Sequence, residues 1–145
     1  KGSEMRLQNL VPVLDVRDVD VSIEFYQSAL GFAVFDKVEW GGQTEWALLR
    51  SGQVQLMLCA SQEDYLEDEV VQGDNVFFIY MEDMDALEMQ LAKTHANATE
   101  RSVDPSHSRD FYLRDPDGYV LWFSPRPLGN TASQSVVQDA SVIFA

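Results

Sequence analysis

The chain is 145 residues long and 46% apolar, with 24 acidic residues against 10 Lys and Arg and a net charge of −14. That length suits one domain with its own core, and no apolar run reaches the roughly 18 residues that a bilayer crossing needs. So acidic a surface repels nucleic acid and anionic membranes, which excludes both as partners.

A single cysteine, Cys59, has no partner for an internal disulfide and fits a reducing cytoplasm. Residues 1–4 are set aside from the fold, and no apolar stretch of signal-peptide type follows them. An apolar run, Leu10–Val16, reads as a first strand. Asp18 is placed to cap a helix that puts Val19, Ile23, Tyr26 and Leu30 on one face. A strand is predicted over Ala33–Trp40, with Gly41-Gly42 as a hairpin tip. Trp46–Gly52 then leads into a strand at Val54–Cys59.

The segment 60–74 carries six acids in fifteen residues and reads as a solvated linker, with Ser61 and Asp64 able to cap a short helix near 62–69. Beyond it the pattern begins again. Val76–Met81 is a strand, Asp83 an N-cap, and Met84, Leu87 and Leu91 the inner face of a second helix. A weaker strand is predicted near Ala98–Val103. Asp115-Pro116-Asp117-Gly118 is a strong turn signal ahead of a strand at Tyr119–Ser124. A polar tail, 129–145, ends in Val142-Ile143-Phe144 and belongs to neither copy.

Val16-Arg17-Asp18-Val19-Asp20 matches Met81-Glu82-Asp83-Met84-Asp85 at an offset of 65 residues, and Gly52 matches Gly118 at 66. Two anchors at nearly one offset predict a duplication. The expected fold is α+β: two tandem βαβββ modules, 7–59 and 75–124, forming a curved mixed sheet cup with helices packed behind. Together they make a single domain over 5–128.

The opening Asp18…Ser22-Ile23-Glu24-Phe25-Tyr26…Leu30-Gly31-Phe32 and the closing Arg109–Tyr119 hairpin resemble the vicinal-oxygen-chelate superfamily of glyoxalases, bleomycin resistance proteins and extradiol dioxygenases. The resemblance spans about 7–124 and is nearest to the bleomycin-resistance-type binding proteins. It implies that metal-dependent members hold four His, Glu or Gln ligands in the cup. Carried over, those positions fall on Val11, Val76, Trp122 and Leu56, with Gln55 or Met57 in place of Leu56 after a one-residue slip. Aliphatic and indole side chains offer no usable lone pair to a divalent ion, so no metal or other cofactor is expected. The two histidines, His95 and His107, lie outside these strands.

Strand alternation places Asp15, Phe78, Tyr80 and Trp122 on the same face as the lost ligands, and the repeat adds Trp46, Tyr112 and Asp110. Phe35 and Trp40 come from a strand whose register the sequence leaves open. For any one of these rings, plain core packing is an equal reading. Asp115 and Asp117 are read as turn formers, and Cys59 as a buried, inert thiol.

The preferred function is metal-independent sequestration of a small cationic or aromatic ligand in an aromatic cup, by a cytoplasmic antibiotic-resistance-type homodimer. Pairing of two chains is what the resemblance implies for single-domain members. One alternative is a lyase, isomerase or dioxygenase with displaced ligands such as Gln55, Asp15, Tyr80 or His107. Another is a structural module with a relict cup.

Overall fold

The computed structural model describes residues 4–62, 75–94, 100–101 and 110–125. The linker helix predicted near 62–69, both histidines and the 129–145 tail lie outside them. Module one runs β1 (Val13–Val16), α1 (Val19–Leu30), β2 (Ala33–Trp40), β3 (Gln43–Ser51) and β4 (Val54–Ala60). Module two runs β5 (Val76–Tyr80), α2 (Met84–Thr94), β6 (Glu100–Arg101), β7 (Phe111–Arg114) and β8 (Val120–Ser124). The duplicated βαβββ order holds.

Each module forms a four-stranded mixed sheet with the same topology, β1-β4-β3-β2 and β5-β8-β7-β6. The first and last strands of each module pair in parallel, which requires the intervening crossover through the helix. β1 begins at Val13, later than the sequence suggested. Pro12 has no N–H to give a ladder, although its carbonyl still accepts from Met57 N at 2.9 Å. Val11 therefore stands outside the strand.

Helix α1 starts where Asp18 accepts a hydrogen bond from Val21 N at 3.2 Å, and Gly31 ends it in the left-handed region at φ 73°. Asp83 does the same for α2, accepting from Ala86 N at 3.0 Å. Ser22 and Ala29 share the buried face of α1 with Val19, Ile23 and Tyr26, while Leu30 is only half-buried. The buried face of α2 is Met84, Leu87 and Leu91, as the periodicity predicts.

One hydrophobic core joins the two modules. Leu14, Val16, Leu49 and Leu58 enter it from the first sheet, and Phe111, Leu113, Leu121 and Phe123 from the second. These residues alternate with others that point to the opposite sheet faces.

Candidate aromatic binding face

Registry fixes which residues share the outer face of module two. Phe78 lies opposite Trp122, Tyr112 opposite Trp122 on its other side, and Tyr80 opposite Ser124. Tyr112, Val120 and Trp122 form a buried cluster separate from the main core, with Val76 and Phe78 packed on it. The Phe78 and Trp122 rings meet edge to face at 5.0 Å and 82°, and Tyr112 lies 5.5 Å from Trp122 with a 41° tilt. Both are favourable aromatic geometries.

Asp110, immediately before β7, stands on this face. Trp122 Nε1 donates to Asp110 Oδ2 at 2.9 Å, and the bond is buried. Asp110 Oδ1 is also buried and, among the described residues, is the one side-chain atom of its kind without a hydrogen-bond partner. Burial falls away across the sheet from β8 to β5. Trp122 is 3% exposed, Phe78 half-buried, and Tyr80 42% exposed. A groove of about 420 Å³ runs along β5, with Phe78, Tyr80, Pro12, Val54 and Gln55 among its walls. Its size falls within the range of small-ligand sites.

The corresponding face of module one is more open. Trp46 pairs with Cys59 on one side and Val38 on the other, and Asp15 lies opposite Cys59. Trp46, Asp15 and Cys59 are half-buried. The Cys59 thiol is thus less buried than the sequence reading had it. Burial first, then the Asp15 carboxylate, pushes its pKa above the usual thiol value.

The register left open for β2 is settled. Shifts between Val34 and Asp36 and between Val38 and Glu39 interrupt its pairing with β3. Phe35 sits at the first irregularity, with the Arg50 guanidinium 4.4 Å from its ring centre. Trp40 lies opposite Gln43 at the hairpin tip and is 79% exposed. The structure thus brings Phe78, Tyr112, Trp122 and Asp110 into contact, with Tyr80 at their open margin. Asp15, Trp46, Phe35 and Trp40 belong to the other sheet.

Registry also decides the metal-ligand positions. Val13 lies opposite Met57 just as Phe78 lies opposite Trp122, so Met57 is the counterpart of Trp122. Leu56, named first from the repeat, points into the core at 4% exposure. Val76, Trp122 and Met57 do not make a ligand set for a hard or borderline divalent ion. No group of three or more His, Cys, Asp or Glu positioned for a metal occurs among the described residues.

Reading Asp115 and Asp117 only as turn formers missed their second role. Asp115 Oδ1 does accept from Asp117 N and Tyr119 N, as a turn-forming Asp should. The same turn is also the joint between the modules. Tyr26 Oη donates to Asp115 Oδ2 at 2.7 Å, and Asp117 Oδ1 accepts from Arg17 N at 3.0 Å and Arg17 Nε at 3.3 Å. Tyr119 Oη accepts from Asp15 N at 2.9 Å. The joint holds one sheet against the helix of the other module. No local sequence signal marks it, because its partners lie about a hundred residues apart.

The Glyoxalase/Bleomycin resistance protein/Dioxygenase superfamily model matches residues 10–123. No curated protein matches the chain. Among solved structures, a bleomycin-binding protein from Streptomyces verticillus, complexed with copper(II)-bleomycin, is similar at a TM-score of 0.63 and 23% identity. That alignment covers 86% of this chain and 100% of the other. TioX from Micromonospora sp. ML1 gives 0.65 at 18% identity, covering 81% and 98% of the two chains. A bleomycin resistance determinant encoded on the transposon Tn5 gives 0.59 at 20% identity, covering 84% and 100%. At these identities the likeness is one of fold.

Proposed function

The chain belongs to the glyoxalase/bleomycin resistance protein/dioxygenase superfamily, and within it we propose a metal-independent binding protein that sequesters a small cationic or aromatic molecule. The observation that carries this reading is the substitution of rings for ligands. Where metal-dependent relatives need donors, this chain has Val76, Met57 and Trp122, and Trp122 is the centre of an aromatic cluster backed by a carboxyl group. A bleomycin-binding protein in complex with copper(II)-bleomycin and a bleomycin resistance determinant, both of the same fold, support an antibiotic-like ligand. A net charge of −14 would draw a cation toward such a face.

The active unit in this reading is a homodimer. Val13, Phe35, Val38 and Trp40 leave module one with large apolar side chains more than half exposed, and a partner chain would cover them. The linker 60–74 and the tail 129–145 remain assigned as connector and appendage to a single domain over 5–128.

Thermal shift and Trp fluorescence, read against cationic aromatic, neutral aromatic and anionic compounds, test the proposal. A cationic aromatic compound should raise the melting temperature and perturb Trp emission, with affinity falling as salt rises. One divalent metal per chain, whose removal abolishes an enzymatic activity, would replace this reading with the enzyme alternative.

A further inference from the structure

Resting on that binding reading, we propose that Asp110 Oδ1 is the atom by which this face selects its ligand. The ligand class is then an organic cation that carries N–H donors beside an apolar or aromatic body, such as a primary ammonium or a guanidinium. Quaternary ammonium compounds are excluded.

The argument starts from the orphaned oxygen. Asp110 is 1% exposed, and its Oδ1 has no hydrogen-bond partner. A buried acceptor in that state carries its full desolvation cost, and native structures rarely leave one so unless something absent from the bare chain completes it. The carboxyl is not free to turn away. Trp122 Nε1 holds Oδ2 at 2.9 Å, and Trp122 is itself wedged between Phe78 and Tyr112. The side chain is therefore oriented before any ligand arrives, with one oxygen engaged and the other buried without a partner.

Its surroundings define the rest of the ligand. Trp122 adjoins the carboxyl with the Phe78 and Tyr112 rings packed on it, and ring faces attract a cation, the more strongly when water is excluded. Oδ1 needs a donor, not charge alone. An ammonium or guanidinium N–H gives a charge-assisted hydrogen bond to a carboxyl oxygen, whereas a trimethylammonium group has no N–H to give. Tyr80 and Phe78 are the more exposed residues of this face, so the apolar body of the ligand would rest on them with its donor end toward Asp110.

The test uses the full chain and three matched probes: 2-phenylethylammonium, its N,N,N-trimethyl analogue and neutral 2-phenylethanol. Binding is read by Trp fluorescence and by the indole N–H resonance of Trp122. The native protein should bind 2-phenylethylammonium at least about tenfold more tightly than the trimethyl analogue. Asp110→Asn keeps an acceptor for Trp122 but turns an N–H₂ toward the ligand. It should weaken the ammonium probe by about tenfold or more and leave 2-phenylethanol within about twofold. Equal affinity of the native protein for the two cations would overturn the proposal whether or not the variant folds. So would an Asp110→Asn protein that binds the ammonium as well as the native one. In either case, binding of all three probes at the aromatic face would leave the binding-protein reading intact. Failure of every probe to perturb Trp122 would remove both.

Discussion

The Tyr26 hydroxyl of module one donates to Asp115 Oδ2 of module two over 2.7 Å, and both side chains are buried. Tyr26 is also held edge-on by Phe25 at 5.1 Å and Phe32 at 5.6 Å, so its hydroxyl is aimed rigidly. The bond ties helix α1 to the turn before β8. Removing the donor alone leaves a buried carboxyl oxygen without its partner. Tyr26→Phe should therefore cost about 1–3 kcal/mol in urea unfolding, with little change in m-value. Asp115→Ala should cost more, because the backbone N–H groups of Asp117 and Tyr119 lose their acceptor as well.

Burial raises the Asp115 pKa above its usual value, outweighing hydrogen bonds from Tyr26, Tyr119 and Asp117 that lower it. A carboxyl raised in the fold stabilises most when it is protonated. Its contribution is fully present below the unfolded value and is lost as pH rises through the raised one. Asp115→Asn, which cannot ionise, should flatten the stability profile over the window above pH 3.8. Chemical denaturation of both proteins across the acid range measures this, and parallel profiles would show that Asp115 is not the group responsible.

At the alkaline end the same joint titrates. Burial is the main reason that the Tyr119 pKa is pushed up to about 12, and burial with the nearby Asp115 raises Tyr26 further. Both phenols are raised, so the stability they contribute is present below pH 10, and that of Tyr119 is lost as pH rises through about 12. Ultraviolet difference titration should show tyrosines that ionise late in the native protein and normally after unfolding. Tyr119→Phe should remove part of the lag.

Trp122 and Trp40 should respond oppositely to substitution. Trp122→Phe keeps a ring between Phe78 and Tyr112 but removes the N–H that Asp110 Oδ2 accepts, at a cost of about 1–3 kcal/mol. Trp40 is 79% exposed, and Trp40→Ala should change monomer stability by no more than about 0.5 kcal/mol. Should Trp40 cover a dimer interface, the same variant will shift the assembly toward monomer. Light scattering at micromolar concentration reads that shift, and a native protein that is already monomeric would refute the dimer.

Elemental analysis of protein purified without chelator should find well under one divalent metal ion per chain. The expectation rests on the chemistry of Val76, Met57 and Trp122 at positions where relatives need His, Glu or Gln. Stoichiometric zinc, iron, manganese or nickel would require ligands drawn from elsewhere in the chain.

The fold was legible in the sequence because local forces write it. Asp18 and Asp83 cap helices through contacts three residues away, Gly31 and Gly52 take positive φ where turns demand it, and alternation sorts Leu121 from Trp122. The same alternation puts Phe78 and Trp122 on one face, and the repeat adds Tyr112 and Asp110 to it. Register across strands was not legible. A repeat offset that wavers between 65 and 66 cannot choose Met57 over Leu56, since one residue of slip reverses the face. Nor could sequence reveal that Asp115 and Asp117 reach back to Tyr26 and Arg17, or that Trp122 binds one Asp110 oxygen and leaves the other bare. Those are contacts between side chains far apart in the chain or on neighbouring strands. Their energies depend on which buried polar group meets which, and only the packed tertiary structure decides that.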